Sequence, residues 1–180
     1  MKAAYTNGIW TGNSGDHTVT KGYKWLQGVQ DKCDWFLWNN SNIPKHSFVG
    51  WMTVKGRMFT KDRMQGFGMP TNGLCEFCLV NQEDHAHLLY ECVYSQKCGE
   101  GLTEWLGVTV PLHDLVQWSI RWRSKSLMKK QILLAAIIAL WYHLWKARNI
   151  CRIEAKLFTP RFIIQQVRYS AKVQREANDI

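Results

Sequence analysis

Four residues, Cys75, Cys78, His87 and Cys92, constrain this chain more than anything else in it. They form C-x2-C-x8-H-x4-C within Cys75-Glu76-Phe77-Cys78-Leu79-Val80-Asn81-Gln82-Glu83-Asp84-His85-Ala86-His87-Leu88-Leu89-Tyr90-Glu91-Cys92. Two thiols separated by two residues can clasp one metal ion from a tight turn. A His and a third Cys then complete four soft N/S donors, a set that suits a closed tetrahedral zinc site. The expected cofactor is a structural Zn2+, and the expected molecule is a metal-held binding module rather than a zinc enzyme. Glu83 or Glu91 could act as a general base on a zinc-bound water only if a coordination position were open, and four protein ligands close it.

The remaining cysteines, Cys33, Cys98 and Cys151, are read as free thiols, buried or half-buried. An even count of six allows disulfides, but a chain of 180 residues with no cationic and apolar leader fits metal binding in a reducing compartment better. The reading is therefore intracellular, and nuclear rather than cytoplasmic. Ten tryptophans and 46% hydrophobic residues supply a core.

The net charge of +9 is unevenly spread. Residues 1–74 carry +5, residues 75–118 carry −6 and residues 119–180 carry +10. Three thiolates on one divalent ion add to the negative charge of the middle segment. Nucleic acid, RNA or DNA, is thus an expected partner of the basic flanks and not of the zinc segment itself.

Along the chain, the Gly-rich residues 1–17 read as a loop or short hairpin, and residues 20–29 as a short helix. Pro44 starts another helix, with Phe48, Trp51, Met52 and Lys55 at helical spacing. Thr60 caps a short helix from Lys61 to about Gln65, ended by Gly66 and Gly68. Residues from Asp84 to about Lys97 are helical in pattern, followed by a short helix from Leu102 to Leu106, a break at Gly107 to Pro111 and a turn or two over Leu112–Trp118. His87 and Cys92 are five apart, which on an ideal α-helix is about 140°. They can share a metal only if a helix starts or ends between them, or if His87 reaches around. From about Ser126 to Cys151 there is no Gly or Pro, and Ile132 to Trp145 is nearly all apolar. That run is shorter than the roughly 20 residues of a membrane span and reads as a central core helix. An amphipathic helix follows Pro160 to about Arg175, with Ile163, Ile164 and Val167 on one face and Arg161, Arg168, Lys172 and Arg175 on the other.

The residues now resemble a known family, the zinc-binding domain found at the C-terminal side of reverse transcriptases in plant LINE-type (non-LTR) retrotransposons. The similarity is not confined to the ligands. It includes Trp10-x7-Thr18-Val19-Thr20-Lys21-Gly22-Tyr23-Lys24-Trp25-Leu26, Trp35-x2-Trp38-x5-Pro44-Lys45-x2-Phe48-x2-Trp51 and Gly56-Arg57-x2-Thr60-Lys61-Asp62-Arg63-Met64. His87-Leu88-Leu89-Tyr90-Glu91-Cys92 and Trp141-Tyr142-His143-Leu144-Trp145-x2-Arg148-Asn149 continue it, so most of residues 10–150 are covered. The chain departs from the pattern at Gly50 and Thr53, which interrupt an otherwise smooth apolar helix. His85 is a weak substitute for His87 as the ligand. The resemblance implies a place beside a polymerase. No Asp-Asp pair or Tyr-x-Asp-Asp motif is present, and Glu154, Glu176 and Asp179 do not form the carboxylate cluster that two-metal chemistry requires.

The expected fold is mostly α: a small helical domain, residues 10–107, stapled by one Cys3His zinc site, then a long core helix and a C-terminal amphipathic helix within an extension, residues 108–180. The expected function is non-catalytic binding of nucleic acid, or positioning of a polymerase on it, with no membrane and no small-molecule substrate involved. The candidate phosphate contacts are Lys45, Lys55, Arg57, Lys61 and Arg63, interleaved with Trp51, Met52 and Phe59, and Arg121, Arg123, Lys125, Lys129 and Lys130, beside Trp118 and Trp122. The competing readings are a solvated helix face, a domesticated protein–protein module and a retroelement remnant without function. Trp141, Trp145 and His143 read as core or boundary residues, and Arg148 as a stacking or pairing residue near its helix end.

Overall fold

A computed structural model describes the backbone of residues 4–6, 9–11, 37–38, 42–109 and 127–178, and the side chains of residues 37–38, 42–109 and 131–172. The chain divides into two units, residues 1–32 and 33–180. In the first, strands β1 (Ala4–Thr6) and β2 (Ile9–Thr11) pair antiparallel with Tyr5 opposite Trp10, the short hairpin alternative for the opening segment. The helix expected at 20–29 and the turns expected at 112–118 lie outside the described residues.

The second unit is built on helices α1 (Pro44–Val54), α2 (Lys61–Gly66), α3 (Val93–Leu106), α4 (Leu127–Glu154) and α5 (Pro160–Asn178), with a π-helical turn at His87–Glu91 before α3. Helix α4 is the axis. Six consecutive residues, Ala136 to Trp141, are buried, so the helix is enclosed on all sides there. A helix that is apolar all round belongs in a core. Helices α1, α3 and α5 pack on it, and α3 also packs on α5. One core joins Phe77, Leu88, Leu89 and Leu102 to Leu134, Ile137, Leu140 and Leu144 and to Ile163 and Val167. Among the described residues no helix is long and apolar enough to cross a membrane.

Local signals explain most boundaries. Pro44 occupies the first position of α1, where its missing N–H costs nothing. Gly107, at φ 64°, ends α3 in the left-handed conformation that glycine adopts without strain. Helix α5 buries Ile163, Ile164 and Val167 and exposes Arg161, Gln165 and Arg168, as its pattern predicts.

Three features differ from expectation. Helix α3 runs unbroken through Gly99 and Gly101, where two helices were expected. A Cβ at Gly101 would lie 3.0 Å from Ile164 Cγ1, so glycine here admits α5 closely enough for packing to offset its low helix propensity. Thr60 stands at the start of α2, but its hydroxyl turns to the Asp62 carboxylate and makes no capping bond. Glu83 caps instead. Its Oε1 accepts from the Lys61 N–H at 3.1 Å and its carbonyl from the Asp62 N–H at 3.1 Å. Finally, the apolar residues at helical spacing on α1 do not share one buried face: Trp51 packs partly buried against the core and Phe48 turns to solvent. The buried positions of α1 are His46, Ser47, Val49, Gly50 and Thr53, while Phe48 is 52% exposed.

Candidate metal centre

The first two ligands come from a narrow loop closed by a bridge between Leu74 and Gln82. The Cys75 N–H donates to Asn81 O at 2.8 Å and the Leu79 N–H to Cys75 O at 2.9 Å. Gly73 (φ 71°) enters the loop, and a Cβ there would lie 2.5 Å from Gln82 Oε1. Leu79 takes φ 56° on the far side of Cys78, turning the chain back after the second ligand. The Phe77 N–H points at Cys75 Sγ, 3.4 Å away, as a backbone donor does toward a metal-bound thiolate.

The other two ligands solve the spacing problem by leaving the α-helix. His87 to Glu91 form one wide turn in which the Cys92 N–H donates to His87 O at 2.8 Å, five residues back. Single π turns of this kind are often found at functional sites. Cys92 itself is extended, at φ −61° and ψ 130°, and α3 starts at Val93. The helical path is therefore broken at Cys92, and the His87 and Cys92 side chains reach one point. Asp84 Oδ1 accepts from the His87 N–H at 2.7 Å, and Ser95 Oγ donates to Leu88 O at 2.6 Å. These bonds occupy backbone groups that the break would leave unpaired.

The four ligand atoms all lie within 4.8 Å of one another. Cys75 Sγ and Cys92 Sγ are 3.9 Å apart, and Cys78 Sγ and His87 Nε2 are 3.3 Å apart. Zn–S bonds of about 2.3 Å in a tetrahedron place two sulfurs about 3.8 Å apart, so the spacing fits. Three of the four residues are buried and Cys78 is partly so. With no metal charge beside it, donation of its S–H to Cys92 and burial push the Cys75 thiol up, and acceptance of that bond pulls Cys92 down. A bound zinc would take the place of that proton and hold both sulfurs as thiolates. His85 is not brought into the cluster, and its Nδ1 is buried without a hydrogen-bond partner.

The centre is fastened to α4. Arg148 pairs with Glu83, and Cys151 Sγ donates to Glu76 O at 3.4 Å. Glu83 is thus committed to Arg148 and to the backbone, and is not a free base beside the zinc. Arg148 pairs as its place near the helix end suggested, with its guanidinium also 5.1 Å from the Trp145 ring centroid. His143, at the boundary of the core, shares a 3.0 Å hydrogen bond with Ser170 Oγ. Cys98 is buried, which pushes its thiol up to about 12. Cys151 is half-buried, both are free thiols, and Cys33 lies outside the described residues.

The basic candidates divide. Lys45 and Arg57 are exposed, with Lys45 Nζ 5.4 Å from the Tyr142 ring and the Arg57 guanidinium 5.4 Å from the Trp51 ring. Lys55 follows α1 directly and is partly exposed, and Arg63 donates to Gly56 O at 2.8 Å. Lys61 departs from the expectation. It is 4% exposed, and its ammonium is bound by Asn72 Oδ1, Leu74 O and the Glu76 carboxylate. Its role is to tie α2 to the ligand loop, because a buried ammonium needs such partners. Arg121, Arg123 and Lys125 lie outside the described residues. Lys129 and Lys130 fall in the first turn of α4, with side chains outside the described set.

The bracing role of Glu83 and the π form of the turn are the parts that sequence reading did not assign, whereas Gly73 stands, as expected, in the turn that delivers the first ligand pair. Glu83 carried a signal only as an acid next to the ligands, and Arg148 as a stacking or pairing residue with no named partner.

Neither curated proteins nor solved structures give a match to this chain. Residues 17–98 match the family model described as zinc-binding in reverse transcriptase. With the Cys3His cluster inside that stretch, residues 17–98 are similar to a zinc-binding domain of reverse transcriptase, and structural zinc is the cofactor that the cluster fits.

Proposed function

We propose that this domain is a non-catalytic nucleic-acid-binding module, derived from a LINE-type retrotransposon of the kind found in plants, which holds a polymerase on its template or acts alone on RNA or DNA. The observation that carries the reading is the closed Cys3His cluster with Glu83 locked to Arg148 beside it. Four protein ligands and a committed carboxylate supply neither an open coordination position nor a base. Zinc then acts by fixing the loop, the π turn and α3 against α4. Binding falls to Lys45, Lys55, Arg57 and Arg63 near α1 and α2, and to the cations that the sequence gathers at Arg121, Arg123, Lys125, Lys129 and Lys130. Nuclear residence belongs to the same proposal.

A salt titration tests it. Affinity for RNA or DNA is expected to fall steeply with ionic strength, because each neutralised phosphate releases counterions. Absence of binding at low salt, or binding indifferent to salt, defeats the reading. A second reading, a protein-docking module, is favoured by the exposed Leu79 (63%) and Val80 (75%) at the tip of the ligand loop. Retained partner capture by a chain that binds no nucleic acid would select it.

A further inference from the structure

We propose that the outward face of α1 is a stacking platform for single-stranded nucleic acid, in which the exposed Phe48 receives a base, Trp51 backs it from the edge of the core, and Lys45, Lys55, Arg57 and Arg63 flank the phosphates. The inference rests on the nucleic-acid reading above and narrows it to one surface and one strand state. Its starting point is the inverted packing of α1. A surface helix ordinarily turns its aromatics to the core. Here the buried positions include His46, Ser47, Gly50 and Thr53, and Phe48 stands 52% exposed.

That orientation is enforced by contact. A Cβ on Gly50 would lie 3.0 Å from Leu37 Cδ2 and 3.2 Å from Ile138 Cγ2. The helix backbone therefore sits directly on α4, and no rotation of α1 buries Phe48 while that contact is kept. Phe48 and Trp51 are near-parallel, 25° apart in plane, with centroids separated by 6.2 Å. The Arg57 guanidinium lies over the Trp51 ring, 5.4 Å from its centroid. An exposed phenyl ring braced by an indole, with a guanidinium close by, is the kind of surface on which an unpaired base stacks.

Two further observations favour this occupant. From 44 to 69 the only acid is Asp62, whose carboxylate already accepts the Thr60 hydroxyl. The surroundings of the rings therefore complement a polyanion. A second ring pair lies on the same stretch of chain, Phe59 with Phe67 at 5.9 Å and 30°, exposed by 38% and 66%. Arg57 and Phe59 face solvent on either side of the buried Met58, so a strand leaving Trp51 can meet further rings. Duplexes hide their base faces, and a stacking surface discriminates against them.

The test measures anisotropy of labelled oligo(U) and oligo(dT) of about a dozen nucleotides, and of a duplex of similar charge, on the zinc-loaded full chain. Tighter binding of the single strands is expected, with Phe48→Ala weakening it by roughly 5- to 150-fold, the equivalent of one lost base stack. The salt slope and duplex binding should not change, and Phe48→Trp should restore affinity. Zinc content and melting temperature of each variant establish that it is folded. If the wild type binds strands and duplex equally, or Phe48→Ala binds as the wild type does, the platform is refuted while the general nucleic-acid reading survives. If the wild type binds neither at about 50 mM salt, both fall.

Discussion

Arg148 and Glu83, separated by 65 residues in sequence, form an ion pair in which Arg148 Nε lies 3.1 Å from Glu83 Oε1. Their side chains are 1% and 0% exposed. Glu83 Oε1 also accepts from the Lys61 N–H, and Oε2 from the Glu76 N–H at 3.2 Å. One carboxylate therefore caps α2, braces the ligand loop and anchors both to α4. Removing one partner leaves a buried charge uncompensated, which costs about 3–5 kcal/mol. Glu83→Gln and Arg148→Met should each lower the unfolding free energy of the zinc-loaded protein, read from urea titration, by that order, and the double variant by less than the sum. Additive losses would show that the two side chains do not act as a pair.

Two glycines give opposite expectations. Gly50→Ala inserts a methyl 3.0 Å from Leu37 and 3.2 Å from Ile138. Overpacking of this kind costs about 1–3 kcal/mol, against a helix-propensity gain of about 1 kcal/mol, so a net loss is expected. Gly66→Ala, with nothing within 4 Å of the new Cβ, should gain about 0.5–1 kcal/mol. Thermal melts of the two variants check this directly, and a stabilising Gly50→Ala would remove the close contact from the account.

His46 and His143 give the stability a pH dependence. Burial, with His143 and Lys45 nearby, lowers His46 to about 3. Burial, with Lys146 and Lys45 nearby, lowers His143 to about 4. His46 packs on Tyr142 at 4.2 Å and meets the edge of His143 at 5.5 Å. Both imidazoles are neutral when folded and take up protons below about pH 6.5 when unfolded. Their contribution is thus complete above about pH 6.5 and is lost as pH falls toward 4 and then 3, by at most about 1.4 kcal/mol per unit for each. Urea unfolding between pH 7 and 5 should show a shallower slope for His143→Gln than for the wild type. Equal slopes would contradict it.

How far these features were legible depends on whether they are local. The ligand spacing, the apolar run that became α4 and the stop at Gly107 are local signals, and each is realised close to its expected residues. The geometric conflict between His87 and Cys92 was also visible, and the break it demanded is the π turn with an extended Cys92. Packing decided the rest. Phe48 and Trp51 read only as residues at helical spacing, and the close contact of Gly50 with Ile138 sets which side of α1 meets α4. Lys61 read as a surface cation, yet its ammonium is claimed by Asn72, Leu74 and Glu76. Neither outcome follows from a window of neighbouring residues, because the deciding partners lie elsewhere in the chain.

The central claim is that zinc in the Cys75, Cys78, His87 and Cys92 cluster holds this fold together. Metal analysis of the purified chain, paired with near-UV circular dichroism before and after chelation, tests it most directly. The account predicts one zinc per chain, loss of that zinc in a Cys75→Ser, Cys78→Ser variant, and collapse of the aromatic dichroism in step with the loss. Stoichiometric zinc retained in the variant, or a metal-free chain with unchanged dichroism and melting, would contradict it.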